Sequence, residues 1–153
     1  MVKDRYIPPL FLDNPLRSLI SPPRKILSRF SDYLRDDYTV LDLGSGPGFF
    51  TVVLSKVISN GIIYAVDPDP KAVSKVKEKV KRLNLKNVIP YVSPAQKIDF
   101  LGDKSIDFIF SNLMLCCTVD HEGALKEMRR VLKGGGLMYL SVTRSFGKRD
   151  KLS

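Results

Sequence analysis

The segment Val40-Leu-Asp-Leu-Gly-Ser-Gly-Pro-Gly-Phe49 decides how the rest of the chain is interpreted. It begins as a short apolar run that ends in glycines, which is typical of a buried β-strand. Glycines let the backbone approach a ligand closely, and a helix that starts beyond them offers N–H groups and a positive dipole end. The segment therefore predicts a strand, a ligand-binding loop and a helix. The alternative, a glycine turn that only connects strand to helix, stays open.

Strand and helix patterns alternate along the rest of the chain. The predicted strands are residues 39–43, 62–66, 88–92, 106–110 and 137–142. Helical spacing of apolar residues occurs at Phe50, Val53, Leu54 and Val57, at Val73, Val76, Val80 and Leu83, and at Leu125, Met128, Val131 and Leu132. Gly134-Gly-Gly is expected to end the last helix. This order predicts an α/β fold, Rossmann-like and doubly wound, with a mainly parallel sheet and helices on both faces.

Composition limits the classes of protein. The 153 residues are 44% hydrophobic, which suits one domain of ordinary size. The formal net charge of +9 favours anionic partners such as phosphorylated ligands, acidic membrane surfaces or nucleic acid. No run of about 18 apolar residues occurs, so a membrane-spanning helix is not expected. The two cysteines, Cys116 and Cys117, are adjacent and cannot link distant segments, so a reducing cytoplasm is the expected location.

Two carboxylates narrow the choice of ligand. Asp42 directly precedes the glycines, and Asp67 ends the second predicted strand, where a carboxylate can accept both hydroxyls of a ribose. The glycines depart from the G-x-G-x-x-G spacing of a pyrophosphate loop, and Asp42 would repel a pyrophosphate. An adenosine with a cationic or zwitterionic tail fits better than a nicotinamide dinucleotide. A dinucleotide oxidoreductase is kept as the last alternative.

These residues resemble the class I S-adenosylmethionine-dependent methyltransferases over about Asn14 to Val142. The resemblance rests on the glycine segment, on Asp67 and on two later stretches, Ser105–Leu115 and Ala124–Gly136. Their order is most similar to the ubiquinone/menaquinone C-methyltransferase-like branch. The resemblance implies S-adenosyl-L-methionine as cofactor and methyl transfer, by direct in-line displacement, to an unidentified acceptor. A small molecule is the expected acceptor.

Two alternatives to this activity stay open. One is an S-adenosylmethionine-binding protein without methyltransferase activity. The other is an RNA or protein methyltransferase that uses the positive charge. Nucleic acid is not the favoured partner, because the lysine-rich face between Lys71 and Lys86 contains no aromatic residues in its helix and is interpreted as a solvated surface.

The resemblance also implies which residues hold the cofactor. The expected cofactor-binding residues are Asp42, Gly44, Ser45, Gly46 and Gly48 at the methionine end, Asp67 and Pro68 at the ribose and adenine, Ala95 and Gln96 at the adenine, and Ser111 and Asn112 near the methionine. Pro94 stands where the family often has an aspartate, so adenine recognition is expected to use the backbone near Ala95 and Gln96 or the Gln96 side chain. No catalytic residue and no metal ligand is assigned.

The resemblance further implies two domain segments, residues 1–37 as an arm with a lid helix and residues 38–153 as the cofactor-binding domain. The leading helix is expected to present Ile26, Leu27, Phe30 and Leu34 on one face. The family usually continues beyond strand five, so the fold is expected to be shortened there, leaving residues 137–142 as an apolar edge. Either a homo-oligomer buries this edge or the arm folds over it.

Two weaker signals concern single residues. His121, the only histidine, is expected to be a surface residue at a helix start, although a catalytic role is the alternative. Cys116 and Cys117 follow strand four, where adjacent side chains are expected to diverge. They are interpreted as small apolar lining. The alternative is a site for soft metal ions or arsenic.

Overall fold

The computed structural model of the protein describes residues 23–142. In chain order the elements are α1 (Pro23–Leu27), a 3-10 turn (Ser31–Tyr33), β1 (Thr39–Leu43), α2 (Phe49–Val57), β2 (Ile62–Asp67), α3 (Pro70–Arg82), β3 (Val88–Val92), β4 (Ile106–Asn112), α4 (His121–Val131) and β5 (Leu132–Ser141).

The five strands form one sheet in the order β3-β2-β1-β4-β5, and every neighbouring pair is parallel. Chain order reverses between β1 and β4. In open α/β sheets a crevice for ligands forms at that reversal, beyond the carboxyl ends of the strands. The predicted doubly wound fold is confirmed.

Two apolar clusters cover the two faces of the sheet. One contains Leu41, Leu43 and Ile109 together with Met128 and Val131 of α4. The other contains the alternate residues of the same strands and an aromatic group, Phe30, Phe50, Phe108, Phe110 and Tyr139. Because β1 and β4 are buried on both faces, their sequences are continuous apolar runs and not alternating ones.

The segment predicted as a leading helix packs on the sheet, but only its first part is α-helical. Ile26 and Phe30 are buried, and Leu27 and Leu34 are partly buried in the second cluster. The Phe30 ring lies 5.2 Å from that of Phe108 and 5.0 Å from that of Tyr139, measured between centroids. The α-helix itself ends at Leu27, and the predicted arm before residue 23 lies outside the described residues.

The last helix and strand differ from the prediction. Helix α4 ends at Val131, and β5 begins at Leu132, so Gly134–Gly136 lie inside the strand. The register of β5 against β4 shifts between Ile106 and Phe108, and Gly135 has φ +81°. The glycines therefore build an irregularity in the ladder, as glycine often does in strands, and do not cap the helix.

Two further expectations concern α4 and β5. Leu125 was expected in the core stripe of α4, but it is 42% exposed, and Ala124 takes the buried position. Strand β5 is an edge of the sheet within residues 23–142, and Leu137 and Met138 are partly exposed there. Burial of this edge by a second copy or by the arm stays a prediction. None of the described helices has the length and apolar character needed to cross a bilayer.

Candidate functional site

A cleft lies where β1, β2 and β4 end. Eight of the expected cofactor-binding residues line it: Asp42, Gly44, Ser45, Gly46, Asp67, Pro68, Ala95 and Asn112. Gly48, Gln96 and Ser111 are not among the lining residues. The sequence therefore brings most of the expected residues to one place, at the edge of the sheet where parallel strands of this topology bind ligands.

The glycine loop is held in place by hydrogen bonds within the protein. The N–H groups of Gly44 and Ser45 both donate to the carbonyl oxygen of Val66, at 2.8 and 3.0 Å. The N–H of Gly46 donates to Asp67, and that of Gly48 donates to the Ser45 carbonyl. These loop N–H groups thus donate to acceptors within the protein. The loop therefore contributes to a ligand site mainly through the shape of its backbone and less through hydrogen-bond donors.

Glycine is needed in this loop for two different reasons. Gly44 has φ +80°, and a Cβ there would lie 2.5 Å from the Cβ and Cγ of Met114. Gly48 has φ +84° at the start of α2, and its Cβ would lie 3.1 Å from a methyl group of Val76 in α3. Gly44 therefore allows the loop to pass the segment after β4, whereas Gly48 lets α2 start close to α3.

Asp67, the last residue of β2, links the loop to the next helix. Its Oδ2 accepts the N–H of Gly46 at 2.8 Å, and its Oδ1 accepts the N–H of Asp69 at 2.9 Å. Burial raises the pKa of Asp67, the two N–H bonds oppose that rise, and the charge of Asp69 adds to it. Since an ionised carboxylate has about four acceptor positions, each oxygen can still accept a ligand hydroxyl.

Asp42 supplies a second carboxylate beneath the loop. It is 2% exposed, and its Oδ2 accepts the hydroxyl of Thr51 in α2 at 2.6 Å. This bond joins the end of β1 to the first turn of α2 across the loop that connects them. When it is ionised, a carboxylate at the cleft wall attracts a cationic group of a ligand.

Asn112, the last residue of β4, lines the cleft, and its buried side-chain nitrogen is an unpaired donor. Its Oδ1 accepts the hydroxyl of Ser141 at 2.6 Å, but its buried Nδ2 has no hydrogen-bond partner among the described residues. Leu113, the next residue, has φ +62°, an uncommon conformation for a leucine. A buried N–H₂ group without a partner is unfavourable, so this Nδ2 gains a hydrogen bond if a ligand oxygen reaches it.

Only some of the residues expected at the adenine and the methionine line the cleft. Of the two residues expected at the adenine, Ala95 lines the cleft, whereas Gln96 is not among the lining residues and has a buried, unpaired Oε1. Ser111 is fully buried and is likewise not among the lining residues.

Several lining residues were not predicted from the sequence. They are Leu43, Phe49, Phe50, Val66, Asp69, Ala72, Ser93, Phe110 and Thr118. Cys117, which was interpreted as lining, does line the cleft, beside Leu113 and Met114. Phe50 and Phe110 form part of an aromatic wall, with ring centroids 5.0 Å apart. Thr118 belongs to the segment that directly follows β4, and this position after a strand end could have predicted that it lines the cleft.

The remaining candidates have surface positions. His121 is exposed as the first residue of α4, where Asp120 caps the helix by accepting the N–H of Gly123 at 2.8 Å. The expectation of a surface histidine at a helix start agrees with this placement. The lysine side of α3 is exposed as well.

The cleft residues fit an adenosyl ligand with a charged amino-acid tail. Asp67 offers acceptors for ribose hydroxyls, Asp42 offers a negative charge for an ammonium group, and Asn112 offers a donor for an oxygen. Apolar residues such as Phe49 and Ala72 line the space between these polar groups. Such a lining, mostly apolar with a few polar groups, is typical of small-molecule sites.

Comparison with known proteins shows the family of the chain. The sequence profile of the family described as "Methyltransferase domain" matches residues 41–140. A solved structure of a SAM dependent methyltransferase from Aquifex aeolicus is 36% identical, with a TM-score of 0.77, over 84% of this chain and 69% of that one.

Two curated relatives are similar over a shorter share of their own length. The ribosomal protein L11 methyltransferase of Thermosipho melanesiensis is 33% identical over 71% of this chain and 39% of its own length. The ubiquinone/menaquinone biosynthesis C-methyltransferase of Klebsiella pneumoniae is 30% identical over 67% and 41%. The chain thus spans about two fifths of the length of these relatives. By its fold, its cleft and these similarities, the chain belongs to the class I S-adenosylmethionine-dependent methyltransferases.

Proposed function

We propose that the protein transfers a methyl group from S-adenosylmethionine to a small-molecule acceptor by in-line displacement. The observation that carries the proposal is the meeting of Asp42, Asp67 and the unpaired Asn112 amide around one cleft at the carboxyl ends of β1, β2 and β4. When bound, S-adenosylmethionine supplies a methyl group already activated by its sulfonium.

Each polar residue of the cleft has a separate role in this proposal. Asp67 accepts the two ribose hydroxyls, and Pro68 packs beside the adenine. Asp42 attracts the ammonium group of the methionine end. Because the loop N–H groups donate within the protein, the loop excludes water and fixes the outline of the site, and the Nδ2 of Asn112 donates to the methionine carboxylate.

The protein's contribution to the rate is then mainly alignment. Holding two reactants in line in a dry site can lower a barrier by about 7–11 kcal/mol. No general base is assigned, because His121, the only histidine, lies at the exposed start of α4. This arrangement suits an acceptor that is already nucleophilic, or one that loses its proton to a neighbouring carboxylate or to water.

Two expectations from the sequence are carried forward as proposals. Residues 1–37 form an arm and helix that cover the cleft, and residues 38–153 form the cofactor-binding domain. In support, the ring centroid of Phe30 lies 5.6 Å from that of Phe110, which itself lines the cleft.

The oligomeric state and the location are also carried forward as proposals. They are a homo-oligomer formed through the exposed β5 edge and a cytoplasmic location.

The function is tested by binding and turnover together. Calorimetry should detect S-adenosylmethionine and S-adenosylhomocysteine but not NAD. Incubation with a metabolite library should form S-adenosylhomocysteine, and mass spectrometry should find an acceptor heavier by one methylene. Binding without product from metabolites, with methyl transfer to a protein or an RNA instead, would contradict the small-molecule acceptor. Binding of NAD alone would overturn the whole proposal.

Asn112→Asp should weaken binding of S-adenosylhomocysteine about 10-fold or more. The substitution keeps the size of the side chain and the acceptor for Ser141, but it replaces the free N–H₂ by an oxygen facing a ligand carboxylate. Calorimetry measures the change. Adenosine, which has no carboxylate, serves as the control ligand and should bind both proteins equally. An equal loss for adenosine would place Asn112 elsewhere in the site.

A further inference from the structure

The two cysteines of the chain lie in a tight turn that follows β4. The N–H of Cys117 donates to the Met114 carbonyl at 2.9 Å, and the N–H of Thr118 donates to that of Leu115 at 3.3 Å. Bonds of this i to i−3 type wind the backbone so that consecutive side chains lie nearer each other than in an extended strand. The two sulfur atoms are therefore 3.8 Å apart and do not diverge as the sequence led us to expect.

The pair lies at the mouth of the cleft. Cys117 lines the cleft beside Met114 and Thr118, whereas Cys116 is exposed to solvent. The Cys116 thiol donates to the Leu113 carbonyl at 2.8 Å, which fixes the direction of its side chain. A residue that lines the cleft is thus next to one that is open to solvent, so a small ligand can approach the pair from outside.

A direct disulfide between these residues is strained. Consecutive Cα atoms are about 3.8 Å apart, below the range of about 4.4–6.8 Å found in disulfides. A single atom inserted between the sulfurs lengthens the bridge and removes this constraint. The geometry therefore favours a ligand atom that bonds to both sulfurs over a bond between them.

The chemistry of the ligand follows from the donor set. Two thiols are soft ligands, which select thiophilic elements. A tetrahedral zinc site needs four protein ligands, or three and a water, and no group of three or more histidine, cysteine, aspartate or glutamate side chains suited to a metal occurs within residues 23–142. A trivalent metalloid can bond to two thiols and keep its third substituent. The two cysteines alone therefore complete its bonding.

We propose that Cys116 and Cys117 form a dithiol site for trivalent metalloid compounds, with organoarsenicals as the representative class. Each thiol forms a bond from sulfur to arsenic and gives up its proton. The two hydroxyl groups of the hydrated arsenical leave as two water molecules, and arsenic stays trivalent, so no oxidant or reductant is needed. The site exists whether or not the neighbouring cleft transfers methyl groups.

Phenylarsine oxide is the probe that tests this site. Native mass spectrometry of the full chain should show one adduct per chain at equal concentrations of probe and protein. An excess of 2-mercaptoethanol should leave the adduct in place, and the dithiol 2,3-dimercaptopropanol should remove it. If 2-mercaptoethanol removes the adduct as well as the dithiol does, the probe is attached through only one of the two cysteines, and the proposal is overturned.

Cys116→Ser and Cys117→Ser are matched variants, since serine keeps the size and hydrogen bonding of each side chain. Either one should weaken phenylarsine oxide binding about 100-fold or more, because the chelate is lost. In concentrated urea the parent protein should bind more weakly than when folded, since the turn no longer holds the sulfurs together. Equal affinity for a single variant, or equal affinity after unfolding, would refute a folded dithiol site. Binding of S-adenosylhomocysteine, measured on the same samples, tests the proposed function separately.

Discussion

Gly44→Ala is expected to destabilise the fold by about 3 kcal/mol and to abolish measurable binding of S-adenosylhomocysteine. The substitution combines two effects. Alanine is strained at φ +80°, and its methyl group would lie 2.5 Å from the Cβ and Cγ of Met114. These Met114 atoms are next to the backbone and cannot move aside as the end of a flexible side chain could. The loop must therefore shift away from the segment after β4.

The chain contains a control that separates strain from collision. Gly135 has almost the same φ, +81°, but an added Cβ there meets no atom within 4 Å. Gly135→Ala should therefore lose only about 1 kcal/mol of unfolding free energy and should keep its affinity for S-adenosylhomocysteine. Urea unfolding followed by circular dichroism and calorimetry measure both quantities. Equal effects at the two positions would show that the contact with Met114 is unimportant.

The fold could be predicted because its signals are local and repeated. Each central strand is an apolar run between turn residues, and each helix has apolar residues at helical spacing. Side chains from distant parts of the chain then meet because parallel strands all end at one edge of the sheet. Asp42 and Asp67 could be placed in one cleft on that basis alone.

The errors arose where one residue type has two structural uses. Glycine ends helices and also permits irregular strands, so Gly134–Gly136 gave no way to choose between a cap and a strand. Pairing with β4, a contact between distant parts of the chain, is what places these glycines in a strand. Leu125 was misplaced for a related reason, since its apolar character gives no information on which side of α4 faces the sheet.

The hydrogen bonds of the site could not be predicted from residue types. The sequence favoured a loop with N–H groups free to bind a ligand, but those groups donate to Val66, to Asp67 and within the loop. The unpaired amide of Asn112 and the close sulfur atoms of Cys116 and Cys117 depend on the backbone after β4. Positive φ at Leu113 and the tight turn beyond it are not encoded by any glycine or proline there.

Asp67→Ala is expected to weaken S-adenosylhomocysteine binding about 10- to 100-fold, since hydrogen bonds to a charged group contribute roughly 1–3 kcal/mol. The alanine variant loses the acceptors for the ribose hydroxyls and leaves the N–H groups of Gly46 and Asp69 without their present partner. Asp107→Ala is the matched control. Asp107 also accepts a backbone N–H, that of Thr39 at 2.9 Å, but it lies near the start of β4, away from the cleft. This control should lose stability and keep its affinity.

The pH dependence of binding tests the same carboxylate without removing it. Burial raises the pKa of Asp67 in the folded protein. Ionisation of Asp67 therefore lowers the free energy of unfolding, and this loss of stability develops as the pH rises through the raised pKa. Ribose hydroxyls donate to the ionised form, so the cofactor binds that form more tightly. Affinity should therefore fall as the pH is lowered through the raised pKa, starting at a higher pH than for an exposed aspartate. Asp67→Asn should bind weakly at every pH and show no such fall. Calorimetry over a pH series measures both proteins, and a parent protein whose affinity stays constant through the acid range would mean that Asp67 does not contact the ribose.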